Sequence, residues 1–170
     1  ISYRFPYIDK KQKHGLIFDF DFSETKNLAY ATLEHKLQFE NSEDILKSTR
    51  GGALTYTYRN SFYSTHALKI EYRSSSINDT IVSLNPNYYG EGNKAQQYGI
   101  ISYQFTADHR DYVGYPLRGY YFSTGVTKLG ISNKDDVNKL DLNATFAGYI
   151  SLQRNFFISN NTLGFWSTRD

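Results

Sequence analysis

The sequence predicts an all-β protein, a transmembrane antiparallel up-and-down β-barrel, and three observations lead there. Apolar and polar residues alternate with a period of two over most of the chain. Several of these runs extend for about a dozen residues, where a globular strand has about 5–6. Tight and longer connections follow one another, as a meander with short turns on one side of a bilayer requires. Composition agrees. Of 170 residues, 39% are hydrophobic and 17% aromatic, with 16 Tyr and 12 Phe, and aromatic side chains suit a pleated surface.

The elements follow in order. ISYRFPYI opens the chain as a strand. In GLIFDFDFS, residues 15–23, Leu16, Phe18, Phe20 and Phe22 share one face, and Asp19, Asp21 and Ser23 the other. LAYATLEHKLQFE, residues 28–40, is predicted as one strand, with Ala29, Ala31, Leu33, Leu37 and Phe39 opposing Glu34, Lys36, Gln38 and Glu40. Leu54, Tyr56 and Tyr58 alternate with Thr55, Thr57 and Arg59, and Leu68, Ile70 and Tyr72 with Lys69, Glu71 and Arg73. Ile101, Tyr103 and Phe105 define the next strand, and GYYFSTGVTKLG, residues 119–130, another. Leu140, Leu142, Ala144, Phe146, Ile150 and Leu152 mark the eighth, and FISNNTLGFW the last. This gives about nine strands. A charged face opposite a clean apolar one, over such lengths, fits strands with lipid on one side and a watery lumen on the other.

The connections are predicted as a moderate DKKQKH, a tight ETKN at 24–27, a longer NSEDILKST at 41–49 and a tight RNSF at 59–62. A long Asn/Gly/Ser-rich loop is expected over 74–97, a medium ISNKDDVN at 131–138 and a tight RNF at 154–156. Tyr3, Tyr7, Tyr30, Tyr120 and Tyr121 are the tyrosines expected at the membrane interfaces.

Charge and composition exclude several classes. A net charge of +2, evenly spread, does not suit a nucleic-acid partner. Without cysteine there is no disulfide framework or thiolate chemistry. Without methionine, and starting at Ile1, the chain reads as a processed or partial product, with any export signal outside it. No run of about 18 apolar residues offers a transmembrane helix, but a membrane strand needs only about 9–11 residues.

Enzymatic chemistry finds little purchase. His14, His35, His66 and His109 lack metal-ligand spacing. Asp19 and Asp21 could approach as an acid/base pair, but the pattern favours two solvated lumen carboxylates. No GxSxG is present, and Gly90 and Gly92 do not sit in a strand-to-helix context. The expectation is a non-enzyme without cofactor or metal. In DHRDYVGYPLRG, residues 108–119, Pro116 belongs at a strand entrance because it has no N–H to donate. Gly119 permits close backbone approach, and Arg110, Asp111 and Arg118 can form ion pairs at the turn.

YQFTADHRDYVGYPLRGYYFSTGV resembles the strand, Asp-rich turn, Pro-x-x-Gly, strand unit of the outer-membrane assembly-factor superfamily, the BamA and TamA barrels (the bacterial surface antigen superfamily). The matching positions are Asp108 or Asp111, then Pro116 and Gly119, with Arg110 and Arg118 between. YRFPYIDKKQKHGLIF is similar to that family's Pro-Tyr strand followed by a Gly-led strand, here Pro6, Tyr7 and Gly15. TYTYRNSFYSTHALKIEYRSSSI adds a weaker strand-turn-strand likeness. The resemblance implies that residues 1–170 are part of a single, larger outer-membrane barrel domain. It also implies POTRA modules before the barrel, and nothing in these residues reads as one. The implied activity is insertion or translocation of other outer-membrane proteins, with client strands pairing at an opened seam. Implied partners are the outer-membrane bilayer, client proteins and other subunits of an assembly complex, and the implied location is the bacterial cell outer membrane. The turn residues would support architecture on the periplasmic side.

Other readings remain open at the level of sequence. A channel or passive transporter barrel fits the mixed charges Asp19, Glu34, Lys69, Glu71 and Arg73. A small structural barrel would close on itself with eight strands. A soluble carbohydrate-binding sandwich would pack two sheets face to face.

Overall fold

The structure, a computed structural model, describes residues 1–90, 92–153 and 156–168. Those residues form β1 (Ser2–Phe5), β2 (His14–Thr25), β3 (Asn27–Leu33), β4 (Lys36–Asn41), β5 (Lys47–Arg59) and β6 (Ser64–Ile77). A short helix α1 (Asp79–Leu84) follows, then β7 (Ala95–Asp108), β8 (Gly119–Leu129), β9 (Lys139–Ser151) and β10 (Phe157–Ser167). Eight strands make one antiparallel sheet in the order β1-β2-β5-β6-β7-β8-β9-β10, and β3 and β4 form a separate pair. The sheet is open, with β1 and β10 as its edges. Period-two patterning produces it directly: each strand offers the next a matching row, and every neighbour is antiparallel.

The register aligns the apolar residues across the whole sheet. One row runs Phe5, Leu16, Tyr56, Leu68, Tyr103, Val126, Leu142 and Trp166. The next runs Tyr3, Phe18, Leu54, Ile70 and Ile101. The opposite face carries Asp19, Ala53, Glu71 and Ile100 in one row and Asp21, Gly51, Arg73 and Tyr98 in another. The alternation weakens at β10, where Leu163 and Phe165 lie opposite Thr145 and Asn143 on the polar face. No second sheet covers the apolar face among the described residues, whereas a sandwich would pack two sheets face to face. Among the described residues β1 and β10 do not pair with each other, which argues against the self-closing eight-stranded reading.

Three sequence expectations need correction. Residues 28–40 are not one strand but the β3–β4 hairpin, so the described residues form ten strands where about nine were expected. Glu34 and His35 adopt φ of 48° and 62°, the left-handed pair that a two-residue hairpin turn requires. Alternation runs through the turn, which hides it, and neither residue is Gly, Asn or Asp, the usual turn signals. ETKN is therefore not a reversal: β2 passes into β3 through Lys26, and β5 returns to pair with β2 through Thr25 and Lys47. Finally, the 74–97 loop is shorter than expected. β6 continues to Ile77, and α1 follows, with the Asn78 side chain accepting from the Ile81 N–H at 3.1 Å as its N-cap. Of the RNF turn, residues 154–155 lie outside the described residues.

The connections now sort by end. Residues 6–13, 60–63, 109–118, 152–153 and 156 lie at one end of the sheet, and 26–46, 78–90, 92–94 and 130–138 at the other. The molecule's fully buried apolar core is at the second end. Leu46, Ile77 and Ile81 cluster there, with Leu28, Tyr30, Val82, Tyr88 and Tyr89 packed around them. The Asn85 side chain ties the helix to the hairpin by donating to the Tyr30 carbonyl at 2.7 Å.

Candidate functional site

The β7–β8 connection is built from hydrogen bonds to two carboxylates. Arg110 closes a two-pronged pair on Asp108, with Nε to Oδ1 at 2.8 Å and Nη2 to Oδ2 at 2.6 Å. Its guanidinium lies 4.9 Å over the Tyr121 ring. This pairing raises the arginine pKa further above its ordinary value. Asp111 acts on the backbone instead. Its Oδ1 accepts the Leu117 N–H at 3.0 Å and the Tyr112 N–H at 2.9 Å, and its own N–H donates to the Arg118 carbonyl at 3.1 Å. The N–H groups donating to the carboxylate, that of Leu117 foremost, hold the Asp111 carboxyl below its ordinary range. Arg118 makes no ion pair among the described residues, so only Arg110 of the two arginines pairs at this turn.

Gly119 begins β8 at φ +98°, and an added Cβ would fall 2.0 Å from the His109 carbonyl oxygen. No L side chain fits there. Pro116 sits ahead of it, half-buried against a cleft of about 260 Å³ shared with Tyr149, Phe157 and Ile158. His109 is stacked between Tyr63 and Tyr120, with centroids at 4.6 and 4.7 Å. The structure thus gathers Asp108, Arg110, Asp111, Pro116, Arg118 and Gly119 into one ordered turn at the short-connection end.

Pro6, Tyr7 and Gly15 also meet at that end. A Cβ on Gly15 would stand 2.8 Å from the Pro6 carbonyl oxygen and 2.6 Å from Thr57 Oγ1. Arg59 lies 5.7 Å over the Tyr7 ring. The tyrosines expected at the interfaces scatter: Tyr120 lies on the apolar face, Tyr121 on the polar face under Arg110, and Tyr30 in the far-end core. Gly92 and Gly90 have positive φ, in the loop after α1. Asp19 and Asp21 share the polar face of β2, and Asp21 folds over Gly51.

Two groupings escape sequence reasoning. On the apolar face, His14, Tyr58 and His66 stack in a row across β2, β5 and β6, with centroids 5.1 and 5.9 Å apart, and Phe105 of β7 continues it tilted against His66 at 4.9 Å. His14 Nδ1 meets the Tyr56 hydroxyl at 2.6 Å, and His66 Nδ1 the Tyr103 hydroxyl at 2.7 Å. The available signal was a histidine interrupting an apolar face in each of β2 and β6. On the polar face, Glu71 is buried between Lys69 and Arg73, each at 2.5 Å. No three His, Cys, Asp or Glu side chains converge on a metal-sized point among the described residues.

No family model, curated protein or solved structure matches the chain.

Proposed function

We propose that the chain is a section of the wall of an outer-membrane β-barrel of the assembly or translocation type. One observation carries the reading. The row from Phe5 to Trp166 is apolar over the whole sheet, and the apolar face is exposed: Leu54 is 40% accessible, Ile70 51% and Ile150 60%. A face of this extent in water would be an association or aggregation surface. In a bilayer it is the side turned to lipid, and the ion-paired face lines a watery interior. The strands have the length for it, 11–14 residues in β5 to β10 against about 9–11 for a membrane strand. No helix of the described residues is long and apolar enough to cross a membrane, which leaves strands unaffected.

The assembly role is supported by the Asp108–Gly119 turn and its likeness to the BamA and TamA unit. Bilayer, client proteins and further subunits are the partners in this reading. Catalysis is not covalent: a client strand pairs with free N–H and C=O groups at a sheet edge, and the edge templates its folding.

The test is insertion of a small unfolded outer-membrane barrel into liposomes, followed by its folded band on unheated gels. Liposomes carrying the protein are expected to fold the client faster than empty ones. Equal rates would sink the assembly role. A channel is the second reading, favoured by the Lys69–Glu71–Arg73 triad on the polar face. It predicts conductance across a planar bilayer with no effect on client folding.

A further inference from the structure

The His–Tyr row on the apolar face borders a cavity of about 610 Å³. Lys11 and Lys13 from the β1–β2 connection stand at it, with His14, His66, Tyr56 and Tyr103 on its walls. The chemistry is one-sided. The lining holds two ammonium groups, two imidazoles and three phenol hydroxyls, counting Tyr58, and no carboxylate.

The nearest acid in sequence is Asp9, and its carboxylate faces its own backbone. It accepts from the N–H groups of Lys11 at 3.1 Å, Lys13 at 2.9 Å and His14 at 2.9 Å. Neither lysine forms an ion pair among the described residues. In the tautomer in which the Tyr56 and Tyr103 hydroxyls donate to Nδ1, His14 and His66 present an N–H donor at Nε2. Cations and neutral donors without competing acids describe an anion site.

Its surroundings say which anion. Leu68 forms part of the cavity wall, and the apolar face continues from it to Ile70 and Ile101, which pair directly and are 51% and 38% exposed. A soluble anion would leave that ridge unused. A phosphate with acyl chains attached would use both parts. We propose that this cavity binds the phosphate headgroup of an anionic phospholipid. Lys11 and Lys13 hold the phosphate, and the Leu68–Ile70 ridge holds the acyl chains. The inference rests on the membrane reading above. It adds that the short-connection end takes a specific lipid as well as a bulk bilayer.

The test uses the protein reconstituted into vesicles of phosphatidylglycerol and phosphatidylcholine, checked for flotation with the vesicles. It is then released into detergent, and lipid retention is read by native mass spectrometry. Phosphatidylglycerol is expected to be retained in preference to phosphatidylcholine. K11Q/K13Q should lower that retention at least tenfold, since one surface cation is worth about fivefold in anionic-lipid affinity. K36Q/K134Q, at the opposite end, should change nothing. Soluble glycerol phosphate at matched concentration should not displace the lipid. Unchanged retention in K11Q/K13Q overturns the proposal, and so does displacement by glycerol phosphate, which would define a free-phosphate site. A protein that fails to float overturns the membrane reading with it, whereas one that floats without lipid preference overturns this proposal alone.

Discussion

A methyl group at position 119 has nowhere to go. The His109 carbonyl occupies its place and the backbone is left-handed there, so Gly119→Ala meets a clash and an unfavourable φ together. The expected loss is on the order of 2–3 kcal/mol, read as a lower urea midpoint. Gly164→Ala is the control, because its Cβ would meet only the Ala144 carbonyl at 4.0 Å; it should change stability by less than about 1 kcal/mol. Asp111 gives the turn a pH dependence. Its carboxyl is held below the ordinary 3.8 by backbone N–H donors. A depressed folded pKa gives stabilisation that is present above the unfolded value and lost as pH falls through the folded one. The 109–118 connection should therefore resist pepsin at about pH 5 and become cleavable below 3.8. Asp111→Asn should flatten that dependence, with rates normalised to an unfolded substrate. Equal pH profiles for the two proteins would remove Asp111 from the account.

Elements differ in how far local sequence controls them. The hairpin and α1 cap one end through Leu46, Ile77 and Ile81. Ile81→Ala should open that cap by about 2–4 kcal/mol. Proteolysis should then cut within 26–46 and 78–94 while the β7–β9 ladder stays intact; cuts throughout the sheet would show that cap and sheet are one cooperative unit. The sheet strands were legible because lipid-length alternation survives in each one separately, as in Leu68, Ile70 and Tyr72 against Lys69, Glu71 and Arg73. The hairpin was not, because Glu34 and His35 bend left-handed without Gly or Asn while the alternation continues. The helix was hidden by its 6 residues, too few for a 3.6-residue period to show. The turn grouping was legible where it is local: Asp108 to Gly119 span one connection and the strand residues on either side of it. The His14–Tyr58–His66 row was not, because strands distant in sequence are brought together by register. Asp111 was expected in an ion pair and instead organises the backbone, a choice set by loop geometry.

At the scale of the whole molecule, the sheet has two unlike faces and two free edges. An apolar face this wide needs an apolar solvent or a partner, and in the proposed barrel it faces lipid. The chain offers its own reporter. Its single tryptophan, Trp166, lies in the apolar row with Leu142 and Val126 and is 53% exposed. The most direct measurement is Trp166 fluorescence in vesicles whose phospholipids carry bromine on their acyl chains, set against quenching by aqueous acrylamide. The account predicts strong quenching by the brominated lipid and weak quenching by acrylamide. Strong acrylamide quenching with no effect of bromine would place the apolar face outside the bilayer and contradict the central claim.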